Sequence, residues 1–211
     1  AELGLRGRGD KTRWSAAVFD IRTDDEIVVQ NNTGGRTTFQ NAGRTLRQGL
    51  ELSGEWRTGP VTLTSAFTWM RARYQDAFMT CNTTGCPNSN PQVQVPAGQR
   101  IPGLPMQQVF LQAAWDTGWA GSRVTLDTRH VGRVIVNDLN TDSAAAYTLF
   151  DLGVQVKQDQ GDWTFREFIR VDNLTDRKHA GSVIVNDGNS RFFEPGAGRK
   201  VLLGLEAQRR F

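Results

Sequence analysis

The chain has 211 residues, enough for one domain or one large sheet; 38% are hydrophobic, 22% charged and 9% aromatic. That composition argues against disorder. No run approaches the ~18 apolar residues of a membrane-spanning helix, while a β-barrel, whose strands alternate, stays open. The 25 basic and 22 acidic residues give a mild net charge of +3, spread evenly, which offers no argument for a nucleic-acid partner.

Hydrophobicity alternates with period two along most of the chain, which is the strand signal. The first residues, AELGLRGRG, already alternate. From Ala16 to Ile21 the pattern leaves open whether the Val18 face or the Phe19 face is apolar. Leu50, Leu52, Gly54 and Trp56 then share one side, as do Val61, Leu63, Phe67 and Trp69 against Thr62, Thr64 and Thr68. Val109, Leu111, Ala113 and Trp115 fall together, and Val124 and Leu126 oppose Arg123, Thr125, Asp127, Arg129 and Arg133. Phe150, Leu152, Val154 and Val156 oppose Asp151, Gln155 and Lys157. In WTFREFIRV, Glu167 shares a face with Trp163, Phe165, Ile169 and Val171, which predicts a bulge or a rim position there. Val201, Leu203, Leu205, Ala207 and Phe211 close the series.

These segments predict about nine strands, near 1–8, 12–22, 46–57, 61–75, 106–116, 122–133, 146–158, 162–172 and 199–211. Short turns at 9–11, 58–60, 116–121 and 159–162 alternate with long polar loops over 23–45, 76–105, 134–146 and 173–198. Short turns at one end and long loops at the other are the layout of an antiparallel up-and-down transmembrane β-barrel, and the fold class is all-β. Trp14, Trp56, Trp115, Trp119 and Trp163 lie within a few residues of a short turn. An indole favours the boundary between lipid and water, so these rings predict an aromatic girdle. The competing reading is a soluble β-sandwich with tryptophan in its core.

Cys81 and Cys86 lie in a turn-rich segment, TCNTTGCPN, where a small-loop disulfide would suit an exported protein. A zinc site would need two more ligands, and the two histidines, His130 and His179, are remote in sequence. No nucleophile elbow, phosphate loop or H-E-x-x-H motif occurs, so no enzyme activity, metal or cofactor is expected. The chain begins without Met inside an alternating segment and shows no signal peptide; the expectation is a piece of a longer protein.

The C-terminal segments carry a family resemblance. Asn173-Leu174-Thr175-Asp176-Arg177 follows a strand, and Phe192-Phe193-Glu194-Pro195 and Gly198-Arg199 lead into VLLGLEAQRRF. Upstream, Phe39-Gln40-Asn41-Ala42-Gly43 precedes Gly49-Leu50-Glu51-Leu52, and Arg100-Ile101-Pro102-Gly103-Leu104-Pro105 precedes the next strand. In order and spacing this resembles the C-terminal part of TonB-dependent outer-membrane receptors over essentially all of residues 1–211. Arg209 stands where that family often has an aromatic residue. The resemblance implies the last nine strands of a 22-stranded barrel, with the earlier strands and the plug contributed by other parts of the receptor. It implies a bacterial outer-membrane location, uptake of a scarce ligand, most often a ferric siderophore, and energy from TonB through a region outside this chain. By parity, Tyr74, Arg129, Arg133 and Arg170 point into the lumen toward the loop side and are the candidate ligand contacts. A passive porin and a soluble carbohydrate-binding β-domain are the alternative functions.

Overall fold

The computed structural model describes residues 1–80 and 93–210. Its strands are, in chain order, β1 (Glu2–Arg8), β2 (Thr12–Thr23), β3 (Ile27–Thr33), β4 (Arg36–Asn41), β5 (Thr45–Thr58), β6 (Val61–Tyr74), β7 (Phe78–Thr80) and β8 (Val93–Val95). They continue with β9 (Gln107–Asp116), β10 (Ser122–Val131), β11 (Val134–Ile135), β12 (Ser143–Ala144), β13 (Tyr147–Gln160), β14 (Trp163–Asp172), β15 (Ala180–Val183), β16 (Phe193–Pro195) and β17 (Lys200–Arg209). The long strands form one nine-stranded antiparallel sheet in the order β1-β2-β5-β6-β9-β10-β13-β14-β17. They match the nine predicted segments within a few residues at each end. Two-residue turns need a residue at positive φ, and Gly59 (φ 54°) and Gly161 (φ 59°) supply it between β5 and β6 and between β13 and β14.

Cross-strand pairing decides which face each residue takes. Leu3 and Leu5 pair with Val18 and Ala16, which in turn pair with Leu50 and Leu52. The Val18 face is therefore the apolar one, and Phe19 points to the other side. The same face continues through Phe67, Val109, Leu126, Leu152, Ile169 and Leu203. Leu203 and Leu205 are 75% and 71% exposed, and among the described residues no second layer covers this face. A sandwich core is thereby excluded, since Trp14, Trp56, Trp115 and Trp163 also lie exposed on the outward side. In β6 the apolar stretch from Val61 to Trp69 covers roughly 26 Å of strand, or roughly 20 Å of height at a ~40° tilt, close to the apolar band of outer-membrane barrels.

Two sequence expectations change. The long loops are not plain polar connections: each folds back into a ribbon, β3–β4, β7–β8, β11–β12 and β15–β16. The first turns on Gly34 and Gly35, both at positive φ, as a two-residue hairpin requires. No bulge occurs at Glu167 either. Its register runs unbroken opposite Val156 and Leu205, so the carboxylate stands midway up the apolar face between Trp163 and Val171. Cys81 and Cys86 lie outside the described residues.

Burial is inverted relative to a soluble domain. The hydrophobic cluster of Ala42, Ala72, Tyr74, Val95 and Ile101 sits at the loop end of the sheet, packed by Val28, Phe78, Leu104 and Leu139. A charge on the lipid side of a barrel is destabilising. In folded protein inserted in vesicles, Leu203→Lys should cost about 2–4 kcal/mol and Glu167→Val should add about 1 kcal/mol, read by denaturant unfolding. Equal midpoints for both variants and the parent would contradict the assignment of the faces.

Candidate functional site

The inner face carries a charge ladder near the loop end. Asp127 on β10 and Asp151 on β13 are neighbours across the strands, and Arg170 on β14 reaches both, at 3.1 Å and 3.2 Å. The same guanidinium donates from Nε to Asp172 at 2.6 Å. Arg129 donates to Asp151 at 2.8 Å. Asp151, 1% exposed, also accepts the N–H of Asn173, while Asp127 accepts from Gln112. Three carboxylates thus meet two guanidiniums. Both arginines are committed to partners, and the ladder as a whole is not a basic patch. Removing Arg170 would leave buried Asp127 without a cation, which is the costly case, whereas Asp151 would keep Arg170 if Arg129 were removed.

Tyr74 plays a different part. It is completely buried at the end of β6, stacked edge-on against Phe78 at 4.7 Å. Its hydroxyl donates to Asp138 at 2.6 Å. The other oxygen of Asp138 accepts from the Asn186 side-chain amide at 2.8 Å, and the Asn186 side-chain oxygen Oδ1 accepts the Asp138 N–H at 3.0 Å. Asn186 also donates to the backbone oxygen of Val29 at 2.7 Å, and Asn32 pairs with Asp187 as an isolated bridge. The connections after β2 and after β14 therefore meet, although six strands of the sheet separate them. Three long connections and the end of β6 close into a cap around one buried carboxylate.

Beside this knot lies a cavity of about 410 Å³ lined by Asn31, Thr80, Asn137, Asp142, Asp187 and Phe192, among others. Its surface is rich in amide and carboxylate groups, and no arginine lines it among the described residues. A larger depression of about 590 Å³, near Trp14, Trp56 and Leu111, opens on the outward face. Its position on the hydrocarbon side makes it a poor place for a polar ligand.

Of the four residues singled out by parity, the structure brings Arg129 and Arg170 together through Asp151. It puts Tyr74 under the cap, out of reach of solvent, and Arg133 exposed just past β10. His179 rests against Tyr147 at 4.5 Å, and His130 shares a hydrogen bond with Thr148 on the outward face. Parity could not reveal Asp138 and Asn186. A repeat in the sequence could have: Ile135-Val136-Asn137-Asp138-Leu139-Asn140 and Ile184-Val185-Asn186-Asp187-Gly188-Asn189 share I-V-N-D-x-N, and the two copies touch.

Burial raises the Asp138 carboxyl above its usual value of 3.8, against the hydrogen bonds from Tyr74 and Asn186. A carboxyl raised on folding stabilises the fold fully below its unfolded pKa and loses that contribution as pH climbs through the raised value. Asp76, held down to about 2 by hydrogen bonds from Arg44, acts oppositely, as does Glu26, lowered by Arg47. Their contributions are present above the unfolded values and fade as pH falls toward the folded ones. The cap should therefore tighten as pH drops from the raised Asp138 value to about 4 and loosen below it. Hydrogen exchange at the Asn186 amide, corrected for intrinsic rate, reads this; Asp138→Asn should flatten the response above about pH 4. Tyr74→Phe leaves one carboxylate oxygen unpaired, should cost about 1–3 kcal/mol, and should speed exchange of Asn186 and Asn32 together. Unchanged exchange at Asn32 would mean that the connections are not coupled through this bond.

Comparison with known proteins places this geometry. The family profile described as TonB dependent receptor-like, beta-barrel, matches residues 1–174. The ferric preacinetobactin receptor BauA of Acinetobacter baumannii superposes with a TM-score of 0.70 at 21% identity, covering 98% of this chain and 28% of that one. The siderophore receptor PiuA of the same organism gives 0.76 at 16% identity, covering 98% and 27%. The ferric yersiniabactin uptake receptor FyuA of Yersinia pestis gives 0.73 at 22% identity, covering 100% and 29%. The chain thus spans less than a third of the length of these receptors, and at such identity the likeness is one of fold.

Proposed function

Because this chain belongs to the TonB-dependent receptor β-barrel family, we propose that it works as the C-terminal barrel segment of an outer-membrane receptor that imports a ferric siderophore with energy from TonB. The observation that carries this reading is the joining of an outward apolar sheet to a loop cap with its own polar cavity. A passive pore needs no such cap, and a soluble sugar-binding domain would not leave its leucines bare. The names of the similar receptors agree with the ligand class.

Strands β1 and β17 each pair on one side only among the described residues. In lipid those edges must be matched, and we assign that role to the remaining strands of the receptor, with its plug filling the lumen. TonB is engaged by a region outside these residues.

Within the site, the reading assigns Arg129 and Arg133 to the ligand path. Arg129 keeps half of its side chain exposed despite its bond to Asp151, and Arg133 is exposed beyond β10. Tyr74 and Arg170 act as framework, holding the cap and the ladder. The cap cavity, rich in acceptors, suits the N–H and O–H groups of a ligand better than its carboxylates.

Radiolabelled iron uptake tests the proposal in cells whose own copy is deleted and replaced by the complete receptor. Ferric preacinetobactin, ferric yersiniabactin and ferric citrate are the first probes. Uptake of one of them should require both this receptor and TonB. Arg129→Ala with Arg133→Ala should weaken binding about tenfold, the loss of one charge-assisted bond. Uptake that persists without TonB would instead indicate a passive pore.

A further inference from the structure

In the lumen Arg129 and Arg170 are neutralised by carboxylates. On the outward face near the loops, Arg22 has Asp20 at 3.0 Å and Arg44 has Asp76 at 2.7 Å. Arg71, Arg73 and Arg100 differ. Among the described residues no carboxylate lies within ion-pair distance of any of them, and residues 81–92 contain no acidic residue.

Their position is set by the strands. Trp69, Arg71 and Arg73 follow one another on the outward side of β6, opposite Leu50, Gln48 and Leu46. Ala72 and Tyr74, on the alternate side, are buried under the cap. Trp69 is the last apolar member of the β6 band. Arg71 and Arg73 stand about 7 Å and 13 Å further along the strand. That is the zone where a membrane turns from hydrocarbon to headgroups. Arg71 lies over the Trp69 ring at 5.9 Å, a guanidinium held at the top of the aromatic belt.

Arg73 and Arg100 face each other as an antiparallel bridge pair, so their side chains leave the same side. Like charges directly opposite one another repel. Burial, with Arg73 and Arg133 nearby, pushes the Arg100 guanidinium below its usual pKa. One donor of Arg73 is taken by the Gly98 carbonyl at 3.1 Å, whereas its Nε is buried with no acceptor. Two guanidiniums set opposite each other with no carboxylate beside them favour an anion at their exposed N–H groups.

We propose that Arg71, Arg73 and Arg100 form a binding site for the phosphate of a membrane lipid, seated on the outside of the barrel where its apolar band meets the loops. The phosphate accepts from the guanidiniums, relieving the repulsion between Arg73 and Arg100, and the acyl chains descend along the apolar face past Trp69. The inference rests on the chain standing in a membrane, as proposed above, and not on which ligand is imported.

Native mass spectrometry of the complete receptor in neutral detergent provides the test. The probes are phosphatidic acid, phosphatidylcholine and inorganic phosphate. The wild-type receptor should retain phosphatidic acid about tenfold more strongly than phosphatidylcholine. Inorganic phosphate at equal concentration should not displace it. Arg73→Gln with Arg100→Gln should abolish the preference, while iron uptake and the mobility shift of the folded barrel on gels stay unchanged. Equal retention of the two lipids by the wild type, which needs no variant, overturns the proposal. So does displacement by inorganic phosphate, which would make this a site for free anions, and so does a double variant that keeps the preference. Loss of iron uptake in the double variant would move these arginines to the ligand path and likewise overturn it.

Discussion

Backbone hydrogen bonding is the constraint from which the architecture follows. A strand bordered by hydrocarbon finds no water for its N–H and C=O groups, so each must be met by a neighbouring strand. The nine long strands obey this in the simplest way, each pairing with the next through a short turn or a long connection. The registers are continuous over seven to fourteen residues, without a bulge in the sheet. Glu167 shows how strongly the ladder governs: the chain keeps its register and leaves a carboxylate on the apolar side. A bulge would have freed the side chain but left backbone groups unpaired, and in lipid the second defect is the worse one.

Once the apolar face is turned outward, little is left to build a core. Buried hydrophobic residues gather instead at the loop end, where Ala72 and Tyr74 continue β6 beneath the cap. Polar groups do the remaining work of fixing the connections relative to one another. Asp138 and Asp151 are each 1% exposed, and each ties together segments distant in sequence. Apolar contacts alone would hold such segments without fixing their orientation. A buried carboxylate with defined donors holds them in one arrangement, at the cost of its desolvation.

The strands were legible because a period of two survives even where individual residues break it. Between Ala16 and Ile21 alternation alone could not choose a face, since Val18 and Phe19 both qualify. The choice is made by Leu3 and Leu50 across the strands, which is information about pairing and not about local pattern. Parity correctly turned Tyr74 and Arg129 inward, but it says nothing about what lies over an inward residue. Tyr74 is covered by a connection more than sixty residues away in sequence. The ribbons escaped notice for a simpler reason: the Gly34-Gly35 dipeptide between two β-rich runs is a hairpin signal, hidden by the polar composition around it. The I-V-N-D-x-N repeat, present in both connections, marks the two segments that meet in the cap knot.

The two faces of the sheet also explain why one residue type behaves so differently within one chain. On the inner wall Asp127 and Asp151 stand opposite each other beside β14, so Arg170 reaches three carboxylates from one position. The outward arginines of β6 have no such neighbours: Gln48 and Leu46 stand opposite Arg71 and Arg73. A guanidinium in that setting is either wasted or matched by something outside the protein. Arg22 finds its counter-charge in Asp20 on the same strand; Arg71 and Arg73 have none there, and the proposed lipid phosphate supplies it without placing a further carboxylate, like that of Glu167, against hydrocarbon.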